Sequence, residues 1–268
     1  MSDRIPTGCA PLDDLLGGGF ERGAVTQVYG PPAAGKTNIV LSAAVETAAR
    51  GDAALYVDTE GLSVERMEQL AAARVDGGDG SLSGGGESPT GAGRPDGPGD
   101  AGQSGDRGVA AAATADDVDA LASRLIVSEA HTFEEQEEAV RDVEEFVETV
   151  ELVVLDSATG FYRLERTEQE EGEALRAVGR QLAHLLSLAR KHDLAVAFTN
   201  QVFTDPESDR SRALGGHTLN HWSATVLRVE RFRGGNRRAT LEKHRSRAAG
   251  ESARFRITGD GLAASDQQ

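Results

Sequence analysis

"VYGPPAAGKTNIV", Val28 to Val40, is the stretch whose reading decides the fold. Gly30 and Gly35 bracket Pro31, Pro32, Ala33 and Ala34, and Lys36 and Thr37 follow at once, which is the spacing G-x-x-x-x-G-K-T. An apolar strand-like run precedes it and a helical pattern follows, the setting in which this spacing cradles phosphate. Glycines let the backbone curl until its N–H groups point inward at phosphate oxygens, where the positive end of the helix dipole also acts. Lys36 then reaches the β- and γ-phosphates and the Thr37 hydroxyl ligates Mg2+, with Asn38 completing the nucleotide-binding set. A nucleoside triphosphate site is expected, with ATP and Mg2+ as its ligands.

Outward from that junction the periodicities alternate. "AVTQVY" predicts a buried strand, Lys36 to Arg50 a helix, "AALYVD" a strand, and Ser63 to Arg74 a helix with Ser63 as N-cap. Farther on come a strand at "RLIVSEA", an acidic helix from Phe133 to Glu148, a strand at "LVVLDS", a long helix from Glu168 to His192 and a strand at "LAVAFTN". Strands apolar along their whole length are expected where helices cover both faces of a parallel sheet. The tail changes character: "HWSATVLRVERF", "RRATLEKHR" and "ARFRITG", separated by "RGGN" and "AAGE", predict an antiparallel meander at one edge. The fold class is α/β, a mostly parallel sheet with helices on both faces and a C-terminal antiparallel edge.

One stretch stands apart. Asp76 to Gly108 carries 13 glycines in 33 residues and almost no large apolar side chain. Such a segment cannot bury enough surface to offset the entropy of ordering it. It reads as a disordered insertion, residues 76–115, that divides one core into residues 1–75 and 116–268, since loop closure costs grow only logarithmically with length.

A metal-bound triphosphate needs a second anchor. "ELVVLDS" ends in Asp156 at a strand's carboxyl end, the edge where ligands of open α/β sheets lie. "YVDTEG" brings Glu60 to the same edge, an acid suited to orient or deprotonate an attacking water, with Asp58 as the alternative structural member of a capping turn. "FTNQV" adds Gln201, which is either an amide that senses the γ-phosphate or a loop-packing amide.

Charge bounds the partners. The chain holds 28 Lys and Arg against 44 Asp and Glu, a net charge of -16, which repels nucleic-acid phosphate and suits a salt-rich cytoplasm. Arg228 to Arg256 inverts this balance with ten basic residues against Glu230, Glu242 and Glu251. That inversion points to a polyanion, or to the acidic helices of a neighbouring subunit. A single cysteine, Cys9, excludes an internal disulfide, and neither a signal peptide nor a membrane-length apolar run is present, so a cytoplasmic protein is expected.

The ordered motifs "RIPTGCAPLDDLLGGGFERGAVTQVYGPPAAGKT", "LYVDTEGLSVERM", "LVVLDS", "FTNQV", "ALGGHTLNHWSATVLRVER" and "LEKHR" resemble the RecA-type recombinase core, in its branch of archaeal RadA paralogues. KaiC-like signalling ATPases with protein partners only share the opening, but usually place two adjacent glutamates where Glu60 stands beside a glycine. The resemblance implies a RecA-like P-loop NTPase core and an accessory factor in DNA repair and homologous recombination. Such a factor binds ATP and DNA, hydrolyses ATP weakly, assists a RadA-type recombinase and does not itself drive strand exchange. Few residues precede "PTG", which fits a chain expected to polymerise poorly, with a homo-oligomer left open.

The resemblance also implies site residues. Two loops line the filament axis in recombinases, one here with Arg163 and Arg166 and one with Arg210 and Arg212, giving contacts to single-stranded or branched DNA. Phe161, Tyr162 and Phe203 stand there as stacking candidates or as loop anchors. Arg66 corresponds to a residue that stacks on adenine, or is an ordinary surface arginine, and His217 to a position beside the phosphates. Lys243 and Arg245 in "EKHR" are candidates to reach a neighbouring subunit's γ-phosphate, sharing one face if this segment is a strand.

Overall fold

The computed structural model describes residues 4–77, 115–161, 168–205 and 210–265. In chain order the strands are β1 (Arg4–Ile5), β2 (Phe20–Glu21), β3 (Ala24–Tyr29), β4 (Ala53–Asp58), β5 (Leu125–Glu129), β6 (Val150–Asp156), β7 (Ala195–Asn200), β8 (Val202–Asp205), β9 (Arg210–Ala213), β10 (Thr225–Arg231), β11 (Asn236–Lys243), β12 (Ser252–Thr258) and β13 (Gly261–Ala264). The helices are α1 (Ala10–Leu16), α2 (Lys36–Ala49), α3 (Val64–Gly77), α4 (Ala115–Ala122), α5 (Phe133–Asp142), α6 (Glu168–His192) and α7 (Gly216–Trp222).

Nine strands form one sheet in the order β13-β12-β11-β10-β3-β7-β6-β4-β5. From β10 to β5 every neighbouring pair is parallel, and from β10 to β13 every pair is antiparallel. The pleat sends alternate residues to opposite faces. Leu152 and Val154 pack on one face with Ile39, Val40 and Ala44 of α2, while Val153 and Leu155 pack on the other with Val178, Leu182 and Leu185 of α6. Both faces are therefore covered, which explains why β3 and β7 are buried at every position, the polar Thr26, Gln27, Thr199 and Asn200 included. α2 is buried nearly all round, and its small residues Ala43, Ala44 and Ala48 let it lie close against the sheet. Each fully buried leucine such as Leu152 or Leu182 contributes about 1.5–3 kcal/mol.

The structure corrects three boundaries. The acidic helix ends at Asp142, where a 3-10 turn over Val143–Glu145 follows, and Thr132 caps its start by accepting from Glu135 N–H at 3.1 Å. "HWSATVLRVERF" is not one strand, because Trp222 closes α7 and β10 begins at Thr225. β10 pairs parallel with β3 on one side and antiparallel with β11 on the other, so it is both the last parallel strand and the first strand of the meander. β11 stops at Lys243, so Lys243 and Arg245 do not share a strand face. The expected insertion lies mostly outside the described residues. Among the described residues, no helix is long and apolar enough to cross a membrane.

Candidate functional site

The parallel strands carry their carboxyl ends to one edge of the sheet. There β3 runs into the turn that precedes α2, β4 ends at Asp58, β6 at Asp156 and β7 at Asn200. This edge opens into a cleft of about 470 Å3 lined by Pro32, Ala33, Gly35, Lys36, Thr37, Asn38, Glu60, Gln201, Arg231, Arg237 and Ile257.

The turn needs both its glycines. A Cβ on Gly30 would lie 2.2 Å from the Val229 carbonyl oxygen on β10, a backbone atom that cannot move aside. Gly35 has φ 108° at the N-cap of α2, and a Cβ there would meet Ile257 Cδ1 at 2.9 Å and Arg237 Nε at 3.0 Å. Lys36 curls back over the turn, donating from Nζ to the carbonyls of Gly30 (3.1 Å) and Pro31 (3.3 Å). Burial lowers its pKa, against the raising influence of Glu60 and Asp156. The turn is thus held in a loop shape with an ammonium at its mouth.

Asp156 is 2% exposed. Tyr56 Oη donates to its Oδ2 at 2.6 Å, and Thr199 Oγ1 donates to its Oδ1. Burial pushes the carboxyl above its ordinary value, hydrogen bonds from Thr199, Tyr56 and Thr37 pull the other way, and the charge on Glu60 adds to the rise. Thr37 and Asp156 therefore meet, an oxygen pair suited to Mg2+, which is commonly held by one or two protein oxygens with phosphates and waters supplying the rest. The peptide bond between Asp156 and Ser157 is cis.

Glu60 and Gln201 come together as well. Glu60 Oε1 accepts from Ser157 Oγ at 2.7 Å and from Gln201 Nε2 at 3.1 Å. Asp58 is the structural member of its segment: its carboxylate accepts from the backbone N–H groups of Glu60 and Gly61, each at 3.1 Å, and of Leu62. The two acids are divided by this arrangement, one capping a turn and one facing the cleft. Gln201 also begins the β8–β9 hairpin, whose strands pair from Val202↔Ala213 to Asp205↔Arg210 where a loop was expected.

Other expected residues lie elsewhere. Arg66 donates to the carbonyls of Gly259 (2.6 Å) and Thr258 (2.9 Å) and to Asn38 Oδ1 (3.3 Å), tying α3 and α2 to the β12–β13 turn. His217 is exposed on the first turn of α7 and does not line the cleft. Lys243 donates to the carbonyls of Asn220 (2.8 Å) and Ser223 (2.7 Å), and Arg245 pairs with Glu21 at 2.9 Å. Both stand near the amino end of β10, away from this chain's own cleft. Phe161 closes the short turn after β6. Tyr162, Arg163 and Arg166 lie outside the described residues. Arg210 and Arg212 fall on β9, across from Asp205 and Phe203.

The sequence reading missed Arg231 and Arg237 as members of the cleft. For Arg231 the signal was its place at the end of the segment TVLRVER, which runs parallel to β3 and so delivers its last residue to the same edge; Arg237 follows from the ladder that pairs it with Arg231.

This geometry, a glycine turn between a parallel strand and a helix with two acids and an amide from neighbouring strands, defines a RecA-like P-loop fold. A family model described as Rad51 matches residues 3–77 and 108–265. The chain is 53% identical over 261 residues to the DNA repair and recombination protein RadB of Halobacterium salinarum, covering 96% of this chain and 94% of that one. It is 36% identical over 264 residues to RadB of Methanococcoides burtonii, covering 98% of each. A solved structure, the crystal structure of the RadB recombinase, superposes with a TM-score of 0.72 at 32% identity, covering 98% of this chain and 100% of that one. The chain belongs to the Rad51 family, within its RadB branch.

Proposed function

We propose that the chain is an ATP-binding accessory protein of DNA repair and homologous recombination, which binds DNA, hydrolyses ATP weakly and assists a RadA-type recombinase without itself promoting strand exchange. The observation that carries the reading is that Lys36, Thr37, Glu60 and Gln201 line one cleft, with Asp156 buried next to Thr37. Lys36 and the backbone N–H groups of residues 30–37 hold the polyphosphate, and Thr37 with Asp156 holds Mg2+, which shields the phosphate charge when bound. Glu60 aims a water and Gln201, bonded to it, reports the occupancy of the cleft to the β8–β9 hairpin. Weak turnover fits the in-chain engagement of Lys243 and Arg245, which are unavailable to a neighbour while they cap α7 and pair with Glu21.

DNA binding is supported by the basic edge. Arg238, Arg254 and Arg256 surround a cavity of about 480 Å3 together with Phe232, which is 45% exposed and lies 4.8 Å beneath the Arg238 guanidinium. Guanidinium groups with an open aromatic ring suit a single strand.

Titration calorimetry with ATP and Mg2+ on the wild type and Lys36→Ala tests the nucleotide site: heat in the wild type and none in the variant is expected. Oligonucleotide binding with and without nucleotide tests the second half. ATP binding with no oligonucleotide binding at low salt would instead favour a signalling ATPase with protein partners only.

A further inference from the structure

Two arginines wall the nucleotide cleft without belonging to the phosphate loop or to the acids opposite it. Arg231 ends β10 and Arg237 is the second residue of β11, and they face each other directly across the antiparallel ladder. The tight turn between them sets this register: Gly234 and Gly235 take φ 77° and 80°, and Phe232 N–H donates to the Asn236 carbonyl at 2.8 Å. Like charges placed opposite in a ladder are destabilising.

Nearby arginines have that charge answered. Arg228 and Arg238 meet Glu230 at 3.4 and 3.0 Å, Arg245 meets Glu21 at 2.9 Å, and Arg247 meets Glu251 at 3.5 Å. Arg231 and Arg237 have no carboxylate within ion-pair distance among the described residues. Arg237 is half engaged, donating from Nε to the Ala34 carbonyl at 3.1 Å and from Nη1 to the Gly235 carbonyl at 2.6 Å. Its guanidinium is lowered by burial and further by the charge of Arg231, so the two feel each other. Arg231 is exposed and, among the described residues, makes no side-chain hydrogen bond.

We propose that these residues form an arginine pair acting within one subunit on the nucleotide's polyphosphate, Arg237 bracing the phosphate loop through Ala34 and Arg231 serving as a direct ligand that favours triphosphate over diphosphate. The proposal rests on the reading of the cleft as an ATP site and names how a single chain distinguishes ATP from ADP. A guanidinium suits the task because it offers paired donors to phosphate oxygens. The extra negative charge of ATP is what an unanswered cation rewards.

The test is calorimetric titration of the full chain with MgATP and MgADP, using wild type, Arg231→Ala, Arg231→Lys, Arg237→Lys and Lys36→Ala. Arg231→Ala is expected to weaken ATP about tenfold and ADP about threefold or less, with Arg231→Lys between it and wild type. Arg237→Lys, which keeps the charge but loses the directed contact to Ala34, should weaken both nucleotides alike. Equal losses for ATP and ADP in Arg231→Ala, or none, overturn the proposal. Intact nucleotide affinities with weakened oligonucleotide binding overturn it too and assign the pair to nucleic acid. If the wild type itself gives no heat, the ATP reading fails and the pair fails with it. If wild type binds, Lys36→Ala does not, and Arg231→Ala matches wild type, the pair alone is refuted.

Discussion

Two charges, Lys36 lining the cleft and Asp156 buried at its edge, sit against the stability of the fold, and that opposition is the mark of function at the scale of single residues. Burial lowers Lys36 and raises Asp156, so each is pushed toward its neutral form. For Asp156 the sign is definite: a folded pKa above the unfolded one means that the ionised carboxylate costs stability at neutral pH. Its contribution recovers as pH falls through the folded value toward the ordinary one. Asp156→Asn removes the charge, and the hydroxyls of Tyr56 and Thr199 can each turn to donate or accept around an amide. Scanning calorimetry at pH 7 should therefore find the melting temperature of Asp156→Asn, without nucleotide, equal to or above that of the wild type. The added stability that MgATP gives the wild type, about 2.7 kcal/mol at a hundredfold excess over Kd, should be lost. A variant that melts well below wild type and still gains from MgATP would mean that Asp156 is merely structural.

Among elements, the connection from β4 to α3 separates structure from chemistry within three residues. Asp58 satisfies three backbone N–H groups in part-buried hydrogen bonds, so Asp58→Ala removes their acceptor and should cost about 1 kcal/mol or more in urea unfolding. Glu60→Gln keeps an acceptor for Ser157 and should leave unfolding unchanged within about 0.5 kcal/mol while abolishing the weak hydrolysis expected of the cleft. The reverse pattern would exchange their roles. This division was legible as alternatives, because "YVDTEG" places two acids at a strand end and only three-dimensional contacts choose between them. The central strands and α2, α3 and α6 were legible because burial on both sheet faces leaves mainly apolar runs in the strands and long helical periods in the helices. The N-terminal β1, β2 and α1 were not read as elements, being two to seven residues long and held by tertiary contacts such as the Thr7 hydroxyl and N–H donating to Asp13. α7 and β10 were fused into one strand because β-branched and aromatic residues continue through "HWSATV". That merger hid the parallel pairing of β10 with β3, and with it the place of Arg231 at the edge of the site.

Across the whole molecule the charge is divided: a net -16 overall, with ten basic residues against three acidic ones between Arg228 and Arg256. In the structure that basic run makes up the end of β10 and the antiparallel strands beyond it, so the positive field is concentrated on one flank of the sheet. Arg228, Arg238, Arg245 and Arg247 are paired within the chain, while Arg231, Arg254 and Arg256 have no carboxylate partner among the described residues. Salt should then act on fold and partner with opposite signs. Self-repulsion of the acidic surface is screened as the Debye length falls from about 10 Å at 0.1 M to about 3 Å at 1 M, so the melting temperature should rise with potassium chloride. DNA affinity should fall over the same range, because each neutralised phosphate of a single strand contributes a slope of about -0.7 in log K against log salt. Arg254→Ala combined with Arg256→Ala should reduce that slope by about 1.4 while leaving the salt-dependent rise in melting temperature in place. A protein whose melting temperature drops with salt would be held by its surface ion pairs rather than strained by its net charge. An unchanged slope in the double variant would move the DNA contact off this flank.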